Sequence, residues 1–165
     1  MIDADAHAPE EVMWEGKYVR ALRRGRWEYA GRTNGVRAVV ILAKDQENNV
    51  LVEQYRVAIG TRSLELPAGL IGDGSGPQED AEGSARRELE EETGFRPGKI
   101  ETLGEFYSSP GMLSESFTLV RASELTRVGP GGGVAGEEIE VHCIPQQDLS
   151  DFISEKRRSG VAIDV

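Results

Sequence analysis

The sequence predicts an α/β or α+β sandwich that is rich in strands and has two helices. Short runs of β-branched and aromatic residues recur along the chain, and such runs are typical of strands. Only residues 78–93 and 148–159 combine helical periodicity with helix end signals. The length of 165 residues corresponds to about one domain. This order of elements excludes a helical bundle and a simple β-barrel.

The predicted strands form an N-terminal group and a central group. In residues 11–35, the segments VMWEGKYV and RWEYAGR predict a strand pair that turns around Arg24 and Gly25. Val36–Ala43 is a nearly continuous β-branched run, typical of a buried strand, and Asn48–Asn49 predicts the next turn. The remaining predicted strands are Val50–Tyr55, Ser63–Leu66, Ile100–Tyr107, Phe117–Ala122 and Ile139–Ile144.

Each predicted helix has its own signal. The first, about Gln78–Thr93, ends before Gly94, and glycine is the residue favoured just beyond a helix C-terminus. The second, about Asp148–Ser159, carries apolar residues at i, i+3 and i+4 spacing. We therefore expect it to bury one face.

Composition and charge limit the possible partners. The formal net charge is −10, with 38% hydrophobic and 29% charged residues, as in soluble globular proteins. The negative charge argues against nucleic acid and against an anionic membrane surface. The longest apolar run, Ala38–Ala43, is six residues, too short to span a bilayer, and the acidic N-terminus does not resemble a signal peptide. A single cysteine, Cys143, agrees with a reducing compartment, and we expect the cytoplasm.

The end of the first helix carries an unusual cluster of acids. Glu88, Glu91 and Glu92 share one helical face, whereas Glu90 points away. Like charges at this spacing repel, and the C-terminal end of a helix disfavours anions. Carboxylate oxygens are the ligands that Mg²⁺ and Mn²⁺ prefer. From the helix alone two interpretations stay open, a metal site and a solvated face that Arg86 and Arg87 compensate.

The surroundings of the helix favour the metal site, because they resemble the box motif of the Nudix hydrolase superfamily, G-x5-E-x7-R-E-U-x-E-E-x-G-U, where U is aliphatic or aromatic. Residues 79–95 match at every specified position. Nine residues, not five, separate Gly69 from Glu79, which we interpret as an insertion in the glycine-rich stretch 72–76. The matching residues are Gly69, Glu79, Arg87, Glu88, Leu89, Glu91, Glu92, Gly94 and Phe95.

The resemblance implies a fold and a metal centre. Members of that family have an αβα sandwich with a mixed β-sheet, and their box binds divalent cations that bridge a diphosphate. By resemblance, Glu88 and Glu92 are the principal ligands of Mg²⁺ (or Mn²⁺), and Glu91 is a further ligand or orients water. The backbone carbonyl of Ala68 adds an oxygen. Glu79 and Arg87 are expected to form a structural ion pair.

Motifs outside the box resemble ADP-ribose and ADP-sugar pyrophosphatases. Leu64–Ile71, which includes Glu65, is similar to their E-[LF]-P-A-G-L-I stretch, and Val52–Arg56 is similar to their V-x-Q-[FY]-R strand. Pro110 follows Gly94 by sixteen positions, a spacing found in that subfamily. The resemblance implies these substrate-binding residues: Arg56 on phosphate, Trp27 and Tyr18 on adenine, and Glu65, Gly111 and Met112.

A late acid is expected to complete the site. Hydrolysis of a diphosphate requires water in line with phosphorus and a group that accepts its proton. Gly136–Val141 resembles the segment that supplies a late catalytic Glu, so we assign the base or a loop metal ligand to Glu137, with Glu138 as the alternative. Five of the eight residues in 129–136 are glycine, so this segment is expected to close as a lid. A mobile hairpin with exposed acids is the alternative.

These expectations combine into one functional hypothesis. The chain is expected to be a cytoplasmic, Mg²⁺-dependent hydrolase that cleaves ADP-ribose to AMP and ribose 5-phosphate. Its N-terminal region, residues 1–35, would contact adenine and form a homodimer, and residues 36–165 would form the hydrolase domain. One alternative is another substrate, ADP-glucose or GDP-mannose. The other is a non-catalytic module that binds ADP-ribose, although such a binder would not need the repulsion among Glu88, Glu91 and Glu92.

Overall fold

Eleven β-strands, two α-helices and one short 3₁₀ helix (Ala4–His7) form the regular structure in the part of the chain that the structure describes. The structure is a computed structural model that describes residues 4–33, 35–72, 80–134 and 136–164. The chain separates into two compact units: unit 1 comprises residues 1–37 and 105–117, and unit 2 comprises residues 38–104 and 118–165. The combination of many strands with two helices confirms the predicted α+β class.

Unit 1 contains a three-stranded antiparallel sheet in the order β1-β2-β3. Its strands are β1 (Glu10–Glu15), β2 (Val19–Arg24) and β3 (Trp27–Arg32). The predicted turn at Arg24–Gly25 is confirmed, and Gly25 adopts a positive φ of 58°, which glycine tolerates without strain. The predicted strand pair is wrong in number, because Gly16 separates two strands and its N–H donates to the Val19 carbonyl at 2.9 Å.

Unit 2 contains most of an eight-stranded sheet in the order β11-β6-β5-β4-β9-β8, with β10 also paired to β5 and β7 to β4. Strand β11 runs parallel to β6, and β5 runs antiparallel to β4, β6 and β10, so the expected mixed sheet is confirmed. The strands are β4 (Ala38–Asp45), β5 (Asn48–Arg56), β6 (Thr61–Glu65), β7 (Ala68–Leu70), β8 (Phe95–Tyr107), β9 (Ser116–Arg127), β10 (Glu140–Pro145) and β11 (Ala162–Ile163).

The two helices are α1 (Ala81–Thr93) and α2 (Leu149–Arg158). Asp80 caps α1 by accepting a hydrogen bond from the Gly83 N–H at 2.8 Å. The predicted end of α1 is confirmed, because Gly94 adopts the left-handed conformation and its N–H donates to the Glu90 carbonyl. The predicted start at Gln78 lies outside the described residues. None of the helices in the described ranges is long and apolar enough to cross a membrane.

The helices lie on opposite faces of the unit 2 sheet, as expected for an αβα sandwich. Ala85 and Leu89 of α1 are fully buried in one cluster with Val50 of β5. Glu53, three residues further along β5, points to the other face, where it bonds Lys156 of α2. The core therefore lies between α1 and the sheet. It contains Val39, Ile41, Ala43, Val50, Ala85, Leu89, Phe95, Val120 and Ala122.

Two predicted element boundaries are wrong for local reasons. The turn before β5 lies at Gln46–Glu47, where Gln46 adopts a φ of 53°, and Asn48 already belongs to the strand. Strand β8 begins at Phe95, five residues before the predicted Ile100. It includes Pro97, which a strand accepts here because β8 is the last strand in the sheet order.

Candidate functional site

The box motif brings its predicted ligands together at the start of β7. The Glu92 side chain is 7% exposed, and its Oε2 accepts a hydrogen bond from the Ala68 N–H at 3.1 Å. Glu88 lies against Gly69, because a Cβ built on Gly69 would lie 2.0 Å from the Glu88 Cδ. A side chain at position 69 would therefore occupy the place of the Glu88 carboxylate. Helix α1 thus places the carboxylates of Glu88 and Glu92 beside the backbone of Ala68 and Gly69 in β7.

The surroundings of these two carboxyl groups disfavour their ionised forms. Burial, with smaller contributions from Glu88 and Glu137, raises the pKa of Glu92 to about 8, against the Ala68 N–H and Arg56, which lower it. Burial also raises the pKa of Glu88, while Arg87 lowers it and Glu91 and Glu137 raise it. A positive ion beside these carboxylates would favour their ionised forms.

Arg87 forms ion pairs with Glu88 and with Glu91, the third acid on this face of α1. Its Nη1 lies 2.9 Å from Glu88 Oε1 and 3.3 Å from Glu91 Oε2, and its Nη2 donates to the Leu70 carbonyl at 3.4 Å. Glu91 is the more exposed of the two acids, with 38% of its side chain accessible. The predicted partner of Arg87, Glu79, lies outside the described residues.

Arg56 and Glu65 form a fixed pair at the ends of β5 and β6. Arg56 Nε and Nη2 donate to the two carboxylate oxygens of Glu65 at 2.8 and 2.5 Å. Glu65 is buried, whereas the Arg56 side chain is 47% exposed. Among the described residues, Arg56 Nη1 has no hydrogen-bond partner. Glu65 therefore orients a guanidinium that keeps a donor for an anion.

The glycine-rich segment 129–133 lies on the C-terminal end of α1. The N–H groups of Gly132 and Gly133 donate to the carbonyls of Glu92 and Glu91 at 2.8 and 3.0 Å. A Cβ on Gly131 would lie 2.4 Å from the Thr93 carbonyl carbon, so only glycine fits this approach. The glycine content predicts a mobile segment, but these contacts fix residues 129–133 to the helix.

The two candidate bases follow that segment. Glu137 Oε2 accepts a hydrogen bond from the Val134 N–H at 3.0 Å, and Glu137 is close enough to Glu88 and Glu92 to raise the pKa of both. Glu138 is exposed, and no described residue bonds its side chain. Of the two acids, the geometry connects Glu137 to the carboxylates of α1.

The carboxylates of α1 and of Glu137 are suitable ligands for a divalent cation, although their oxygens do not lie close enough together to share one ion. The structure describes no three of the acids Glu88, Glu91, Glu92 and Glu137 with oxygens within 4.8 Å of one another. All four carboxylates have partners elsewhere, at Ala68 N, Arg87 and Val134 N. Shared coordination therefore requires side-chain rotation. The set nevertheless consists of hard oxygen donors, which suit Mg²⁺ or Mn²⁺.

A second cluster, which sequence reasoning missed, lies on the opposite face of the sheet. The buried Glu53 accepts hydrogen bonds from Lys156 Nζ at 2.5 Å and Arg62 Nε at 2.6 Å, and its Oε2 lies 3.2 Å from His142 Nε2. Glu53, Glu140 and His142 offer ligand atoms within 4.8 Å of one another. Two cationic side chains already neutralise Glu53, so we assign the cluster to joining α2, β6 and β10. Its one sequence signal is an acid within an apolar strand.

Acid is expected to weaken this junction. Burial opposes ionisation of Glu53, but the bonds from Lys156 and Arg62 outweigh it and lower the pKa to about 2. The unfolded chain therefore binds more protons between about pH 4.5 and 2, and the stability that Glu53 contributes is lost as pH falls through this window. Glu53→Gln should cost about 3 kcal/mol in urea unfolding at pH 7, and the difference from wild type should shrink towards pH 3.

A matched control for this measurement is Glu101→Gln. Glu101 forms an exposed pair with Arg121 at 3.5 Å, and such pairs contribute less than about 1 kcal/mol. An equal loss in the two variants, or a Glu53 effect that does not change with pH, would contradict the assignment.

Unit 1 holds the remaining predicted substrate-binding residues. Trp27 and Gly111 line one cavity of about 590 Å³. Tyr18 and Met112 are not among the described residues that line it; Lys17 Nζ lies 4.8 Å from the Tyr18 ring centroid, and the Met112 carbonyl accepts from the Ala30 N–H. The cavity also contains residues that sequence reasoning did not select, namely Glu10, Arg24, Tyr29 and Tyr107.

Comparisons with known proteins show the family of this chain. The family model of the NUDIX domain matches residues 31–159. A GDP-mannose pyrophosphatase from Cronobacter sakazakii (strain ATCC BAA-894) is 35% identical over 158 residues, which cover 91% of this chain and 75% of that protein. A methanol dehydrogenase activator from Bacillus methanolicus is 35% identical over 122 residues, covering 73% and 64%.

The fold also has a solved counterpart. The crystal structure of an ADP compounds hydrolase superposes with a TM-score of 0.69 at 22% identity, covering 88% of this chain and 80% of that one. At that identity the likeness concerns the fold alone. The match of the family model over most of the chain, with the box residues on α1 and β7, shows that this chain belongs to the Nudix hydrolase superfamily.

Proposed function

We propose that the chain hydrolyses the diphosphate of a nucleoside diphosphate sugar and depends on a divalent cation, Mg²⁺ or Mn²⁺. One observation carries the proposal: Glu88 and Glu92 lie half-buried and buried beside Ala68 and Gly69 with raised pKa values. Keeping these two carboxyl groups close together and away from water has a cost in stability, which a bound cation offsets. A module that only binds its ligand does not need this arrangement.

The side chains divide the work. A bound cation stabilises charge on the diphosphate and activates water. Glu88 and Glu92 would hold it, with Glu91, Glu137 and the Ala68 carbonyl as the further ligands that the family resemblance implies. Arg56, fixed by Glu65 through two hydrogen bonds, directs its remaining donor to a phosphate oxygen.

Glu137 takes the proton from the attacking water, with Glu138 as the alternative base. Two features support Glu137. It is close enough to act on the pKa of both Glu88 and Glu92, and it follows a segment fixed to the end of α1. Glu91, which lies on α1 with Glu88 and Glu92, would orient the water.

Two substrates have specific support. The motifs around Arg56, Glu65 and Gly111 resemble those of ADP-ribose pyrophosphatases, which favours ADP-ribose cleaved to AMP and ribose 5-phosphate. The relative from Cronobacter sakazakii is a GDP-mannose pyrophosphatase, which favours GDP-mannose. The proposal includes a cytoplasmic homodimer. The exposed Val12, Met13 and Trp14 of β1, each at least 52% accessible, support a second copy as partner.

A substrate panel tests the proposal. The protein is incubated with ADP-ribose, ADP-glucose and GDP-mannose, with Mg²⁺, with Mn²⁺ or with EDTA, and the products are separated by chromatography. We expect a nucleoside monophosphate and a sugar phosphate from at least one substrate, only with added cation. Binding without turnover would show a binding module instead, and products in EDTA would remove the metal from the proposal.

A further inference from the structure

Asp164, an acid outside the box motif, lies near the arginine that the proposed function assigns to phosphate. Strand β11 runs parallel to β6, and Ile163 lies opposite Leu64. The Asp164 N–H donates to the Leu64 carbonyl at 3.0 Å, so the pairing continues past the end of β11. The next residues of the two strands, Asp164 and Glu65, are therefore neighbours.

The register also fixes the face of the sheet on which Asp164 lies. Leu64 pairs with Glu53, which points to the face of α2. Directly paired residues share a face, and successive residues of a strand alternate between faces. Glu65 and Asp164 therefore lie on the face of α1. The hydrogen bonds that Arg56 donates to Glu65 agree with this placement.

The backbone before Asp164 is attached to the rest of unit 2. The Thr61 hydroxyl donates to the Gly160 carbonyl at 3.3 Å, and the Val161 N–H donates to the Lys156 carbonyl at 3.0 Å. Together with the bond from the Asp164 N–H, these contacts join the segment to β6 and α2. The charge of Asp164 therefore has a defined position.

Negative charge outweighs positive charge around Arg56. The Glu65 hydrogen bonds raise the pKa of Arg56, burial lowers it, and the charges of Glu65, Glu92 and Asp164 raise it further. Asp164 thus lies within electrostatic range of the guanidinium. No described residue bonds the Asp164 carboxylate. The single positive charge of Arg56 therefore faces the two negative charges of Glu65 and Asp164, before the acids of α1 are considered.

A site with this charge distribution distinguishes phosphates by their own charge. In a nucleoside diphosphate sugar, each of the two phosphates carries one negative charge. A free nucleoside diphosphate ends instead in a phosphate that carries about −1.5 to −2 at pH 7. Arg56 has already given two of its nitrogens to Glu65, and like charges repel. The extra charge of a free terminal phosphate is therefore disfavoured beside Asp164.

We propose that Asp164 is a specificity-determining residue, which makes the site prefer diphosphates that carry a sugar on the second phosphate over diphosphates that end in a free phosphate. The proposal rests on the proposed function, because it takes Arg56 as the residue that binds the diphosphate. In this role Asp164 acts through its charge, without binding a metal and without accepting a proton.

A binding experiment tests this selection without turnover. The ligands are analogues of ADP-ribose, GDP-mannose, ADP and GDP in which a methylene group replaces the oxygen between the two phosphorus atoms, so that this bridge resists hydrolysis. Isothermal titration calorimetry with Mg²⁺ gives, for each nucleoside, the dissociation constant of the free diphosphate divided by that of the sugar ester. In wild type this ratio should exceed one for each pair that binds.

Asp164→Asn removes the charge and keeps the backbone bond to Leu64. At low salt, about 20 mM, the ratio should fall about 3- to 10-fold, the order of effect of one unit charge near a protein surface. Asp164 is exposed, so salt should screen its charge, and at about 0.5 M salt the fall should be less than twofold. Asp164→Glu restores the charge and should keep the wild-type ratio within about twofold.

Asp151→Asn is the matched control. Asp151 is an exposed acid in the first turn of α2, on the opposite face of the sheet. This variant changes the net charge of the chain by the same amount and should keep the wild-type ratio at both salt concentrations. The comparison therefore separates the position of Asp164 from the total charge.

The outcomes separate this proposal from the proposed function. A wild-type preference for the free diphosphates, no binding of any analogue, an unchanged ratio in Asp164→Asn, an equal change in Asp151→Asn, or a change that persists at high salt would each overturn the role of Asp164. A salt-sensitive change that only Asp164→Asn produces, in a protein that cleaves no nucleotide sugar, would support this role and contradict hydrolysis. Hydrolysis with an unchanged ratio would do the reverse.

Discussion

Replacing Glu92 with glutamine is expected to lower kcat by roughly a hundredfold or more, since ligand carboxylates of catalytic cations contribute several kcal/mol to the activation barrier. The new amide keeps an oxygen that can accept from the Ala68 N–H, as Glu92 Oε2 does at 3.1 Å. The fold should therefore persist. Steady-state kinetics on the best substrate of the panel, at saturating Mg²⁺, measures the effect.

The same substitution should stabilise the metal-free protein at alkaline pH. The folded pKa of Glu92, about 8, lies above its ordinary value of 4.5. The native state therefore binds more protons than the unfolded chain between these values, and Glu92 makes stability fall as pH rises from about 4.5 to 8. In EDTA, the Tm of Glu92→Gln should exceed that of wild type at pH 8 and approach it at pH 5. Millimolar Mg²⁺ should raise the Tm of wild type more than that of the variant.

Glu90→Gln is the matched control on the same helix. Glu90 points away from the cluster and forms two hydrogen bonds with Arg96 at 2.9 and 2.8 Å. This variant should retain kcat and the Mg²⁺-dependent rise in Tm. Near-normal turnover in Glu92→Gln, or an equal loss in both variants, would remove Glu92 from the metal site.

Gly69→Ala is expected to lower activity about 10- to 100-fold while leaving stability nearly unchanged, the range seen when a residue that orients a metal ligand is altered. The new Cβ would lie 2.0 Å from Glu88 Cδ and 2.1 Å from Oε1. These atoms form the far end of a flexible side chain, so Glu88 can rotate away. The fold tolerates that movement, but the carboxylate leaves its position beside Glu92. Thermal melts and kinetics on one preparation separate the two effects.

Gly94→Ala should give the opposite pattern. A Cβ on Gly94 would lie 2.2 Å from the Gly129 carbonyl oxygen, a backbone atom, and Gly94 has a φ of 74°. Both conditions strain the backbone, by about 1–3 kcal/mol for the φ alone, so Tm should fall clearly. If Gly69→Ala lowers Tm as much as Gly94→Ala, or leaves kcat unchanged, the space beside Gly69 does not serve Glu88.

The helix and its acids could be predicted from sequence because their signals are local. Gly94 marks the end of α1, and the spacing of Glu88 and Glu92 places both on one helical face. The approach of that face to Ala68 and Gly69 followed from the box motif. The structure supplies the distances that no spacing contains, such as the contact between the Glu92 carboxylate and the Ala68 N–H.

Features that depend on strand register could not be predicted in the same way. Glu53 meets Lys156 across 103 positions of sequence, and neither residue has a local signal that names the other. The pairing of Glu10 with Arg24 requires knowing that residues 10–15 form a strand at all. The exposure of Cys143 likewise depends on register, since neighbouring positions on a strand alternate between faces and a shift of one reverses them.

The approach of the glycine segment to α1 has a consequence for how this protein can change over generations of mutation. A Cβ added at Gly94 would lie 2.2 Å from the Gly129 carbonyl oxygen, and a Cβ added at Gly131 would lie 2.4 Å from the Thr93 carbonyl carbon. Because the obstacle in each case is backbone, a substitution at one position cannot be rescued by a smaller side chain at the other. Both positions therefore require glycine. Because Glu137 follows the same segment, variation in library selections should enter after Gly133 and leave the anchoring half invariant.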